Sequence, residues 1–271
     1  MNSFRVLRPG GRVPYRAGLD WQREVADRRI EGDLEEDLLV LLEHGPVLTL
    51  GRNADEAHVT VSDAALERLG VDRVEVERGG DVTYHGPGQL VGYPIFDLRG
   101  HRKDLHWFLR RIEDALIRTV GSFGLDGFRV EGHTGVWVGE PDDDVSEEDA
   151  PPLVADGRVR KLASIGIHVS RWVSWHGFAL NVTREPLESF RLIVPCGIRG
   201  VRMTSLEAEG VDAGVDDVRR AAAAGFESAF GVAARDAGEG LPDALPPLPT
   251  EGAESDGKRE QSQPRTRSAA R

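Results

Sequence analysis

The sequence holds a single cysteine, Cys196, in 271 residues. One thiol cannot build an internal disulfide framework or a Cys-rich zinc site, and it fits a reducing compartment. Lysine is almost as scarce. Only Lys103, Lys161 and Lys258 stand among 34 basic residues, against 46 acidic ones, for a net charge of −12. Such an arginine-rich, lysine-poor, acidic chain fits either GC-rich coding or a salt-adapted host. Its negative balance disfavours nucleic acid as a partner, because that affinity comes from cations neutralising phosphates. Long apolar runs are missing too: the longest, Leu38 to Leu42, is five residues, where a spanning helix needs roughly 20. No apolar h-region follows the N-terminus, so the chain reads as one without a signal peptide or membrane contact, working in the cytoplasm.

What is present suits a soluble domain: 39% hydrophobic and 30% charged residues, in a chain long enough to bury a full core without staples. Residues 140–149 carry seven acids and no base and are followed by Pro151 and Pro152, which predicts a solvated acidic insertion over about 140–157. From 238 to 271 the chain turns Pro-, Glu-, Ser- and Arg-rich and reads as a disordered tail. Residues 1–237 are then one domain. Apolar spacing predicts helices at 19–29, 64–69, 105–123 and 215–230, the third with an unbroken stripe of Leu105, Phe108, Leu109, Ile112, Leu116 and Val120 capped by Asp104. Strands are expected at 38–42, 47–50, 74–76, 91–97, 135–138, 161–169 and 179–182. Interspersed strands and helices give an α/β or α+β domain with a mixed sheet.

Chemistry-bearing residues cluster in four places. Arg78, Gly79, Gly80, Asp81, Val82, Thr83, Tyr84 and His85 open a segment with five glycines in fifteen positions. A lone Gly-Gly is usually a hairpin connection, but glycines interleaved with Arg, Thr, Tyr and His favour a binding loop with exposed backbone N–H groups. The spacing matches neither GxxxxGK[ST] nor GxGxxG. Cys196, between Pro195 and Gly197, is either a small buried hydrophobe or a thiol presented on a turn. Lys161 alone among the lysines lies in apolar, strand-like sequence, where a compact point charge suits work that arginine does not do. His176 reads as a structural histidine or a supporting site residue. A papain-like pairing of Cys196 with a histidine stays open. No His or Cys pair has metal-ligand spacing, so no metal is expected.

Taken together these blocks resemble the octanoyltransferases of lipoate biosynthesis (the lipoyl/octanoyl transferase family). The resemblance runs over about residues 12–232, through Tyr15, Trp21-Gln22, LEHGPVLTLGR at 42–52, RGGDVTYHGPGQLVGYPIFDL at 78–98, GVWV at 135–138, KLASIGI at 161–167, HGFALNV at 176–182 and PCGI at 195–198. It implies the mixed-sheet fold of lipoate ligases and biotin protein ligases. It also implies transfer of an octanoyl group from the phosphopantetheine of acyl carrier protein to a lysine of a lipoyl domain. Acceptors would be 2-oxoacid dehydrogenase E2 subunits and the glycine cleavage H protein. Cys196 would be the nucleophile carrying an acyl-thioester, and Lys161 would lower its thiol pKa. Residues 78–85, Ser164, Ile165, Gly166, Gly177, Phe178 and Ala179 would line the substrate site. No cofactor is implied, since thioester exchange is near balance and the final amide step runs downhill, and a monomer is expected. Lipoyl-acyl carrier protein is a further donor on this reading. An ATP-dependent lipoate or biotin ligase, or a non-catalytic acyl- or lipoyl-domain-binding protein, are the competing readings.

Overall fold

The unbroken run Leu38 to Leu42 lies in β3 (Asp37–His44), the middle of a mixed sheet, and it is unbroken because both faces of that sheet are covered. Leu39 and Leu41 pack beneath α3 (Leu105–Gly121) and α5 (Val215–Phe230), while Leu38, Val40 and Leu42 pack against α1 (Tyr15–Glu31). The computed structural model describes residues 3–140, 158–198, 200–236 and 245–250, and the Cys196 side chain lies outside that description. The predicted acidic insertion falls almost wholly on 141–157 and so also lies outside it.

Strand order in the large sheet is β12 (Ala233–Asp236), β1 (Ser3–Leu7), β3, β7 (Gln89–Ile95), β11 (Val173–Asn181), β10 (Val159–Ser170), β9 (His133–Gly139) and β8 (Phe128–Val130), with β2 (Arg12–Val13) paired to the end of β3. β12, β1 and β3 run parallel, and every pairing from β3 to β8 is antiparallel. A second sheet joins β5 (Asp72–Glu75), β4 (Val47–Leu50) and β6 (Val82–His85). Two short helices, α2 (Asp63–Leu69) and α4 (Glu185–Ser189), flank it. No helix among the described residues is long and apolar enough to cross a membrane.

The glycine-rich segment expected as a loop is mostly strand. β6 belongs to the small sheet and β7 to the large one, so the turn at 86–88 carries the chain from one sheet to the other. The stripe on α3 also divides. Phe108, Ile112, Leu116 and Val120 are buried in the core, but Leu105 is 43% exposed and Leu109 only partly buried. The first turns of α3 overhang a cavity. Asp104 caps the helix as expected, its carboxylate accepting from the Trp107 amide at 3.0 Å.

Part of the expected tail is not tail. Leu245 is buried among Trp21, Val25 and Leu34, Leu248 packs on the same cluster, and the Trp21 indole donates to the Pro246 carbonyl at 2.8 Å. The two leucines are too few and too widely spaced to show a periodic pattern, which is why sequence reasoning passes over them. Burying one leucine stabilises by about 2 kcal/mol, or roughly 5 °C in a domain of this size. Truncation after Ala237 is therefore expected to lower Tm by about that much, and truncation after Thr250 to leave it unchanged. Equal melting curves for the two truncations would show that the segment contributes nothing.

Candidate active site

The site starts from an irregularity in β10. Where it pairs with β9, Lys161 faces Trp137 but Ala163 faces Val136, so the register slips by a bulge, a device that re-aims a side chain. Lys161 turns inward and is 4% exposed, its Nζ 5.1 Å from the centroid of the Trp137 ring, within cation–π range. Space for its stem comes from Gly135. The backbone there is left-handed (φ +135°), and a Cβ would stand 2.8 Å from Lys161 Cε and 2.4 Å from the Ala163 carbonyl. The Gly135 amide is held by Glu113 of α3 at 3.1 Å, and Glu113 is gripped in turn by Arg110 and Arg129.

The backbone of Lys161 ties it to the segment that follows Cys196. Its amide donates to the Arg202 carbonyl at 2.8 Å, and its carbonyl accepts from the Thr204 amide at 2.9 Å. Cys196 itself lies in a single 3-10 turn, Pro195–Gly197. Gly197 closes that turn with φ +68°, and a Cβ on it would stand 2.4 Å from Asp81 Oδ2 and 2.9 Å from His58 Cε1. Upstream, the Val194 amide donates to the His58 carbonyl at 2.8 Å. Proline before and glycine after the thiol thus set a turn pressed against the start of β6.

Between these parts lies a cavity of about 500 Å³, within the range of small-molecule sites. Lys161, His133, Thr134 and Ile198 line it together with residues 78–83 and 164–167, Tyr15, His85, Tyr93, His176, Phe178 and Ala179, and Leu105 and Leu109 of α3. The Gly79 amide donates to the Ile167 carbonyl at 2.9 Å, joining the glycine loop to β10. Ser164 Oγ is buried and has no hydrogen-bond partner among the described residues, so its hydroxyl can serve a bound molecule.

A buried polar network backs the cavity. His44 bonds the Val13 carbonyl and the Tyr93 hydroxyl, both at 2.6 Å. His85 bonds Gln89 Oε1 at 2.8 Å, and Gln89 donates to Asn181 Oδ1 at 2.9 Å. Tyr15 stacks on His85 with centroids 5.7 Å apart. Burial holds both histidines neutral, lowering His44 to about 4 and, with the His44 charge opposing it as well, His85 to about 3. Burial lowers His176 also. In the unfolded chain each imidazole titrates near 6.5. From pH 6.5 downward the unfolded state therefore binds protons that the native state refuses, and stability falls by about 1.4 kcal/mol per pH unit for each such histidine until its folded pKa is reached. Urea midpoints are expected to drop steeply between pH 6.5 and 5, and a flat profile there would show that these imidazoles are already charged in the native state.

The expected site residues whose side chains are described line this cavity with two qualifications, and the Cys196 side chain lies outside the description. Tyr84 does not reach it: strand alternation turns Thr83 and His85 toward the cavity and Tyr84 into the core of the small sheet, 6.0 Å from the Phe190 ring. Arg78 lines the cavity, but its guanidinium is engaged by the Thr49 carbonyl (2.7 Å) and hydroxyl (2.8 Å) and by the Gly79 carbonyl (3.1 Å), so it braces the loop. His176 reaches the cavity from a left-handed backbone conformation (φ +58°), and its amide donates to Gln22 Oε1 at 3.0 Å. Its ring lies 3.8 Å from Glu77, too far for a hydrogen bond. Sequence reasoning missed Tyr93, His133, Leu105, Leu109 and the His58–Asp81 contact. The two leucines were hidden by reading their helix as an ordinary core helix. Among the described residues no group of three or more His, Cys, Asp or Glu is placed to hold a metal ion.

Residues 14–227 match the family model described as lipoyl protein ligase A/B catalytic domain. The chain is 46% identical over 233 residues to the octanoyltransferase of Gloeobacter violaceus, covering 86% of this chain and 92% of that one. It is 50% identical over 209 residues to the octanoyltransferase of Acidobacterium capsulatum, covering 74% and 79%. Among solved structures, the bipartite lipoate protein ligase of Thermoplasma acidophilum superposes with a TM-score of 0.64 at 18% identity, covering 87% of this chain and 86% of that one. That likeness shows the fold.

Proposed function

The chain belongs to the lipoyl protein ligase A/B catalytic-domain family, among its octanoyltransferases, and we propose that it transfers its octanoyl group through a thioester on Cys196. The donor is octanoyl-acyl carrier protein, the acceptor a lysine of a lipoyl domain in 2-oxoacid dehydrogenase E2 subunits or the glycine cleavage H protein. The cavity chemistry that supports this is one observation: a buried ammonium, Lys161, lines a largely apolar cavity that is also lined by Ile198, two residues after the chain's one thiol. An eight-carbon chain there gains roughly 0.8 kcal/mol per buried CH₂.

In the first half-reaction the Cys196 thiolate attacks the octanoyl carbonyl and the phosphopantetheine thiolate leaves and takes up a proton. In the second, the acceptor lysine, as free amine, attacks the enzyme thioester, loses a proton and expels Cys196 as thiolate. The Lys161 ammonium favours that thiolate in both directions. The Ser164 hydroxyl is suited to donate to the carbonyl oxygen as it gains charge. Thioester energy drives the sequence, so no nucleotide or other cofactor takes part, and the protein works as a cytoplasmic monomer. The test is incubation of the full chain with octanoyl-acyl carrier protein and apo lipoyl domain, with and without ATP. Mass spectrometry is expected to show one octanoyl group on the domain lysine in both. A strict requirement for ATP together with free octanoate would make it a ligase instead.

A further inference from the structure

Asp81 poses a problem for this chemistry. It lines the cavity and touches the turn that carries Cys196, yet both half-reactions develop negative charge there, first on the thiolate and then on the carbonyl oxygen. A carboxylate close to either anion opposes it.

The structure places a partner on that carboxylate. His58 Nδ1 is 2.5 Å from Asp81 Oδ2, and the other oxygen accepts from the Val82 amide at 2.7 Å and the Asp55 amide at 3.2 Å. An ionised carboxylate only accepts, so the proton between the two side chains is carried by the imidazole. His58 is partly buried and sits at the end of the short 3-10 turn Glu56–His58. Its carbonyl accepts from the Val194 amide, and the Thr60 amide donates to the Leu192 carbonyl, so the backbone at His58 and just after it is bonded to the segment entering the Cys196 turn. The same Gly197 position that meets Asp81 Oδ2 meets the His58 ring.

We propose that His58 is a positioning residue that masks the Asp81 carboxylate at the Cys196 turn, so that this acid shapes the cavity without opposing the anions formed there. The inference rests on Cys196 being the nucleophile. The other charged or titratable groups lining the cavity are Lys161 of β10, His133 of β9, Arg78 and His85 on either side of Asp81, Tyr15 of α1, Tyr93 of β7 and His176 of β11. Glu56, on the His58 turn, is paired with Arg73. His58 contacts both Asp81 and the Cys196 turn.

The experiment is the pH dependence of Cys196 alkylation by iodoacetamide in the full chain, which needs no acyl donor. Removing the mask exposes the carboxylate, so His58→Ala is expected to raise the apparent thiol pKa by about one unit and slow alkylation at pH 7 about tenfold. Asp81→Asn keeps an oxygen for the Val82 and Asp55 amides and removes the charge, so its alkylation at pH 7 is expected to be at least as fast as the parent's. The double variant is expected to match Asp81→Asn, because without the carboxylate there is nothing to mask. A purely structural clamp makes the opposite pattern, with both single variants slowed and the double variant slowest. A parental profile in His58→Ala, or a tenfold slowing in Asp81→Asn, overturns the inference. The second result decides it even where His58→Ala does not fold. Parent enzyme that gains no octanoyl adduct while showing the expected alkylation pattern overturns the thioester reading alone. A normal adduct with parental alkylation in His58→Ala overturns the masking alone.

Discussion

Cys196→Ala is expected to fold with parental stability, form no octanoyl adduct and lose transfer activity by roughly 10³-fold or more, as enzymes do when their nucleophile is removed. Stability is spared because backbone geometry makes the turn. Proline precedes the thiol, left-handed Gly197 follows it, and the Val194 amide is anchored on His58. Parent enzyme given octanoyl-acyl carrier protein alone should gain one octanoyl mass on the Cys196 peptide, removable by hydroxylamine. Apo lipoyl domain should then discharge it, with ping-pong kinetics. Cys196→Ser should retain a trace, an alcohol being a far weaker nucleophile than a thiolate. Near-parental transfer by Cys196→Ala would mean that the acceptor lysine attacks the donor directly.

Lys161→Ala carries the second large effect. A cation favours the charged form of a neighbouring thiol. Its removal raises the thiol pKa, lowers the thiolate fraction at pH 7 and slows acylation by about 10- to 100-fold. The direction fixes the pH signature: the deficit shrinks as pH rises through the elevated thiol pKa. Lys161 is almost fully buried and its stem fits only because Gly135 has no Cβ. A branched guanidinium has no room on that path, so Lys161→Arg should not rescue. An unchanged alkylation pKa in Lys161→Ala would show that the ammonium does not act on the thiol.

The two effects differ in how well they could be foreseen. The buried position of Lys161 in the cavity wall was legible because it is the one lysine set in apolar, strand-like sequence. Its neighbours were less so. Tyr84 stands in the same motif as Thr83 and His85, and only the pairing of β6 with β4 turns it away from them. His58 is a single histidine in an unremarkable polar stretch. Its relation to Asp81, 23 residues away, exists only once the 56–60 segment is bonded to 192–194.

Local patterns and composition decided helices α1, α2, α3 and α5, strands β3, β7, β9 and β10, the single thiol and the one lysine in an apolar strand. Those features depend on residue type and on spacings within a turn or a strand, and the order of residues states them directly. Folding over long separations decided the rest. It placed β6 and β7 in different sheets, slipped β10 by a bulge that aims Lys161 inward, and put Leu105 and Leu109 over a cavity. It also laid Leu245 on Trp21 and brought His58, Asp81 and Gly197 into contact. Each is a contact between residues far apart in the chain, set by which elements pack together, and no local periodicity encodes it.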